Sequence, residues 1–249
     1  MKEICRCISA ELLKLKRTLA LRLALLAPSL VVLLVFGANL QRPAHDAAGV
    51  NPLTGVAQLV LTLWSIITLP FYAALVAALL AAVEYQGDNW SRLLALPVRR
   101  FSIYVAKWFV AGALLLVSSV ALAAAVCLAS EMLRLIKPGW RGAPLPAVMV
   151  TKRAMESLCA TGLLLSLQLW VSLRWPNFIA GLAVATAAVL TMFLFIPRGA
   201  GIFGSMFPWS LPAFAMAPVS PHRVLVMTLG LLGGVAIAGR RLFRSRIRR

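Results

Sequence analysis

The longest runs in this chain are apolar, and they recur. Near residues 19–38, 58–83, 105–129, 149–172, 178–196 and 224–239, charged side chains are absent or confined to the ends of each stretch. A bilayer core of about 30 Å is crossed by roughly 20 helical residues. Within lipid each backbone N–H and C=O must find its partner inside the segment or in a closed barrel, and the alternating pattern of barrel strands is missing here. The pattern predicts an all-α integral membrane protein with six transmembrane helices. No window between the runs is long enough to bury a core of its own, so residues 1–249 read as one membrane domain.

Composition agrees. The chain is 61% hydrophobic and 13% charged, against about 45–50% and about 25% for soluble domains. Its net charge of +18 would suggest a nucleic-acid partner in a soluble protein. Beside membrane spans, basic residues set orientation and meet anionic lipid headgroups instead. With both termini on one side, that side receives 17 of the 25 Lys and Arg residues. Both termini are therefore expected in the cytoplasm, in a plasma or inner membrane, with no nucleic-acid partner. The four cysteines, Cys5, Cys7, Cys127 and Cys159, form no CxxC pair and suggest neither a disulfide framework nor a zinc site.

Residues 1–18 are basic and amphipathic. Ile4, Ile8, Leu12 and Leu15 recur at helical spacing, with Lys2, Arg6, Lys16 and Arg17 on the other side. Such a helix suits the membrane interface. Glu11 falls close to the apolar stripe, where it pairs with Lys14 or Lys16 or meets a partner chain. The following apolar run is too long for a signal-peptide core, so the first span is expected to be retained.

Between the second and third spans, residues 84–104 return to water as a cytoplasmic loop. Asp88 or Asn89 can cap a short helix, Trp90, Leu93 and Leu94 follow at i, i+3 and i+4, and Pro97 ends it. Two turns are too few for stability alone in water. Two readings are open. Trp90 with its leucines is an anchor for a partner's pocket, flanked by Arg92, Arg99 and Arg100; or Trp90 is a headgroup-level anchor beside arginines that set orientation.

Two segments face the opposite side. Ser130 to Leu158 carries Glu131 with Arg134, and Lys152 with Glu156, at spacings that let side chains meet on a helix. These charges line a substrate path or hold the outer ends of two spans. Residues 197–223 hold five prolines and many aromatics. They suit re-entrant backbone packed against protein at membrane depth.

Catalytic machinery is not legible. GAGIFG, Gly199 to Gly204, lacks the preceding strand that a dinucleotide site requires, and no GxxxxGK[ST] loop occurs to cradle phosphates. His45 and His222 stand without HExxH or a carboxylate cluster, so no metal site is expected. No pair of acids lies at mid-span, which argues against ion-coupled transport.

Three patches, in order, resemble one family. EYQGDNWSRLLALPVRRFSIYVAKW, from Glu84 to Trp108, is similar to the loop after the second span of ABC type-2 exporter permeases. AELLKLKRTLALRLALLAP, from Ala10 to Pro28, resembles that family's interfacial helix and first span. LQLWVSLRWPNFIAGLAVA, from Leu167 to Ala185, is similar to the turn between the fourth and fifth spans in permeases for lantibiotic immunity and bacitracin-type resistance. The resemblance implies a bacterial permease without ATPase activity, with ATP and Mg held by a separate cytoplasmic subunit in two copies and a second permease chain, identical or related. It implies that Glu84, Gly87, Asp88, Trp90, Leu93, Leu94, Leu96 and Pro97 form the coupling helix, and that Arg174, Trp175, Pro176 and Asn177 form a second cytoplasmic contact. Its implied activity is efflux of an amphipathic substrate such as a peptide antibiotic. A stand-alone transporter or channel and a polytopic membrane enzyme are the competing classes.

Overall fold

The computed structural model describes residues 2–15, 19–41, 51–85, 100–140, 146–175, 177–195 and 207–214. The expected coupling helix and the sixth expected span lie outside them. Among the described residues the chain is helical, with no strand. In chain order the helices are α1 (Lys2–Leu15), α2 (Ala20–Leu40), α3 (Pro52–Leu63), α4 (Leu69–Tyr85), α5 (Arg100–Ile136), α6 (Ala147–Arg174), α7 (Phe178–Phe195) and the single turn α8 (Leu211–Phe214). A π turn, Trp64–Thr68, joins α3 to α4, and a 3₁₀ turn, Pro138–Trp140, follows α5.

Among the described residues, four helical stretches are long and apolar enough to cross a membrane: Ala20–Leu40, Pro52–Tyr85, Phe101–Ile136 and Ala147–Arg174. They match the first four expected spans. The fifth, α7, is apolar but shorter. The third runs well past its expected limits of 105 and 129, because no glycine or proline interrupts it between Gly112 and Pro138. Glu131 and Arg134, spaced as helix neighbours, thus lie on its last turns.

Helix ends follow local chemistry. Asn51 is extended and its Oδ1 accepts from Leu53 N at 3.0 Å, with Pro52 at the first helical position, where a missing N–H costs nothing. At the other end of the bundle, Trp175 adopts extended backbone before Pro176, which disfavours helical geometry in the residue preceding it, and α6 stops. Asn177 Oδ1 then accepts from Ile179 N at 2.9 Å and opens α7.

Packing brings α5 against α1, α2 and α6, and α4 against α6 and α7. Trp64, Leu53, Leu61, Leu115, Leu122, Leu164 and Leu165 fill the centre. Leu21, Leu25, Leu26, Leu30, Leu33 and Leu34 of α2 point outward. In water that apolar face would drive aggregation; in lipid it is the expected exterior. From the segment expected to re-enter, α8 packs on α6, with Ser157 Oγ donating to Pro212 O at 3.1 Å.

Candidate functional site

Where α1 meets the ends of α4 and α5, four charged side chains close into a ring. Lys107 Nζ of α5 donates to Glu11 Oε2 of α1 at 2.8 Å and to Glu84 Oε1 of α4 at 2.8 Å. Lys14 Nζ, one turn after Glu11, donates to Glu11 Oε1 at 2.9 Å and to Glu84 Oε1 at 2.6 Å. Lys107 spends its third proton on the Leu80 carbonyl at 3.2 Å. All three donors of this ammonium are therefore satisfied.

Burial makes the ring consequential. Lys107 is 0% exposed, Glu84 1% and Glu11 4%. A lone charge withdrawn from water to this extent costs several kcal/mol; two acids alternating with two lysines cancel formally, and each charge is hydrogen-bonded. The Lys14 ammonium is opposed by burial, but its hydrogen bond to Glu84 and the charge of Glu11 outweigh that, and its pKa rises above the ordinary 10.5. Beside it on α1, burial pushes the Cys7 thiol up, and the charges of Glu11 and Glu3 push it further.

Around the ring the same ends of the other spans are tied by neutral hydrogen bonds. Tyr85 Oη donates to Leu173 O at 2.6 Å and Tyr104 Oη to Ser166 O at 2.8 Å, while Trp108 Nε1 donates to Ser166 Oγ at 3.0 Å. Gln168 Nε2 reaches Gly181 O at 2.5 Å, a close approach of α6 to α7 where a Cβ at Gly181 would lie 2.9 Å from Ser172 Oγ.

The sequence-predicted residues divide accordingly. Glu11 and Glu84 meet in the ring. On α1, Leu15 is buried and Ile8 packs on the core, whereas Leu12 is 46% exposed, so the face turned to the bundle runs through Ile8, Glu11 and Leu15 with Ile4 half-buried at its start. Trp175 and Asn177 are exposed at the turn between α6 and α7, Arg174 half-buried, with Trp175 edge-on to Trp170 at 6.1 Å. At the far end of the bundle Arg134 pairs with Glu131 at 3.0 Å. Glu156 pairs with Arg153 at 3.4 Å and not with Lys152, which is exposed. Gly87, Asp88, Trp90, Leu93, Leu94, Leu96, Pro97 and Pro176 lie outside the described residues.

Lys107 was not singled out from sequence, where it passes for one more orientation-setting cation. The available signal was its position, seven residues into a helix between apolar neighbours Ala106 and Trp108.

The profile of the ABC-2 family transporter proteins matches residues 7–198, from within α1 to just beyond α7. The chain belongs to that family. Every member of the ring and of its hydrogen-bonded surround lies inside the matched stretch. An ABC-2 chain is the membrane component of a transporter and not itself the ATPase, which accords with the missing phosphate loop. No curated protein and no solved structure matches this ABC-2 chain.

Proposed function

We propose that the chain is the transmembrane permease subunit of an ATP-driven exporter, coupling hydrolysis on a separate cytoplasmic ATP-binding subunit to efflux of an amphipathic substrate. Family membership supports the permease role. The observation that carries the coupling is the charge ring, because Glu84 in the last turn of α4 and Lys107, two turns into α5, belong to the two helices that flank residues 86–99. Any displacement of that segment reaches α4 and α5 first, and the ring hands it on to α1.

In this reading Gly87, Asp88, Trp90, Leu93, Leu94, Leu96 and Pro97 form the helix that docks on the ATPase, and Arg174 to Asn177 form the smaller contact. ATP binding draws two ATPases together beneath two permease chains, and the short helices convert that motion into movement of the spans. Both termini are cytoplasmic, and residues 197–223 and the pairs Glu131–Arg134 and Arg153–Glu156 lie at the outer face. The substrate class, an amphipathic peptide antibiotic, is supported by the resemblance of Leu167 to Ala185 to resistance permeases.

Copurification tests the reading. The Trp90→Ala/Leu94→Ala variant is expected to insert normally and to lose its ATP-binding chain. Retention of the ATPase by the double variant, or a wild-type chain that brings down no ATPase, overturns it.

A further inference from the structure

The second span is built as two helices. Pro70 has no N–H to offer the Ile66 carbonyl, and its ring crowds that carbonyl. The backbone answers by slipping one residue: Leu69 N–H bonds to Trp64 O, five residues back, and Trp64–Thr68 forms a π turn. Thr68 Oγ1 follows the same wider spacing to Leu63 O at 3.4 Å. Where a helix gives up its regular ladder it bends most readily, and π turns recur at working parts of proteins.

The two ends of α4 are held differently. At the α1 end, Lys107 takes both Glu84 and the Leu80 carbonyl, Lys14 takes Glu84, and Tyr85 is bonded to α6. Around the π turn, two buried donors have no partner among the described residues: Trp64 Nε1 at its start and Tyr72 Oη just past its end, with ring centroids 6.5 Å apart. Trp64 is 0% and Tyr72 3% exposed. Buried donors are almost always satisfied, and leaving one without an acceptor is costly. Among the described residues, neither ring is tied by its polar atom to a neighbouring helix, in contrast to Glu84 and Tyr85 at the other end.

We propose that Trp64–Pro70 is a hinge within the second span, on which α4 turns as a rigid arm that carries Glu84 and, through the ring, α1 and the start of α5. The proposal rests on the coupling reading only for what moves the arm; the hinge stands or falls by itself.

Spin labels on either side decide it. With the four native cysteines replaced by serine, Leu59→Cys on the exposed face of α3 and Ala82→Cys on α4 place two labels 23 residues apart, about 34 Å along a regular helix. In phosphatidylglycerol–phosphatidylcholine nanodiscs, pulsed dipolar spectroscopy is expected to resolve two distances. Pro70→Ala, which restores the N–H that closes a regular turn, is expected to leave only one. A single narrow distance in the proline-containing protein overturns the hinge, as does a pair of distances that Pro70→Ala leaves unchanged. If the alanine variant does not accumulate in the membrane, Pro70→Ser restores the same donor and carries the same outcomes. A hinge seen here, together with a Trp90→Ala/Leu94→Ala protein that keeps its ATPase, would reject the coupling reading and leave the hinge intact.

Discussion

Lys107 and Glu11 stand 96 residues apart in the chain and 2.8 Å apart in the fold. Removing one member of a buried pair strands its partner, which costs about 3–5 kcal/mol. Lys107→Met is therefore expected to lower the unfolding free energy in detergent by that order. Adding Glu11→Gln leaves Lys14 facing Glu84 alone and restores neutrality, so the double variant should regain more than half of the loss. Thermal unfolding of both variants checks this; additive losses would show that the ring is not a coupled unit.

The ring and the packing of Ile8 and Leu15 both join α1 to the bundle, and Cys7 reports on that attachment. Its thiol is half-buried and its pKa raised, both of which slow alkylation by keeping the thiolate scarce and covered. In the Lys107→Met protein α1 loses a principal tether. Maleimide labelling of Cys7 is expected to accelerate several-fold, while exposed Cys5 reacts as before. Equal rates at Cys7 in both proteins would mean that apolar packing through Ile8 and Leu15 is sufficient.

Among the described glycines, Gly181 differs from Gly37, Gly55 and Gly112. An added Cβ meets nothing within 4 Å at the latter three, but at Gly181 it meets Ser172 Oγ at 2.9 Å and Gln168 Nε2 at 3.6 Å. Gly112→Ala is expected to be neutral or to stabilise by up to about 1 kcal/mol, because alanine loses less chain entropy in a helix. Gly181→Leu forces α7 away from α6 and breaks the Gln168 bond, a loss of about 1–3 kcal/mol. Melting temperatures of the two variants should move in opposite directions or differ by several degrees.

Much of this fold could be read from sequence because apolar length is a local property. α2, α6 and α7 begin and end near their expected limits, and α6 stops at the residue before Pro176. The spacing of Glu131 and Arg134 already reads as helical, and the structure keeps the pair on α5; what the sequence leaves open is how far that helix runs past 129, since apolar length alone does not mark its end. Glu11 and Glu84 each stood out as an acid beside apolar residues. Their meeting did not, since it depends on how three helices far apart in sequence pack, and Lys107 looked like an ordinary boundary cation. Pro70 was visible too, but a proline alone does not say whether a span kinks, stops or widens into a π turn.

Alkaline pH separates the ion pairs of Lys14 from its packing. The folded chain raises the pKa of this lysine above the ordinary 10.5: burial opposes the charge, and the hydrogen bond to Glu84 with the charge of Glu11 more than offsets it. A raised pKa means that the folded state holds the proton more tightly than the unfolded state. The stabilisation is complete below 10.5 and fades as pH climbs through the higher folded value. The charged and titratable groups around it are Glu11, Glu84, Lys107 and Cys7. Comparing wild type with Lys14→Met cancels the titration of every other lysine and tyrosine. The gap in melting temperature between them is expected to hold steady from neutral pH to about 10 and to close above it. A gap that persists at the alkaline end would assign the contribution of Lys14 to its aliphatic stem lying along α1.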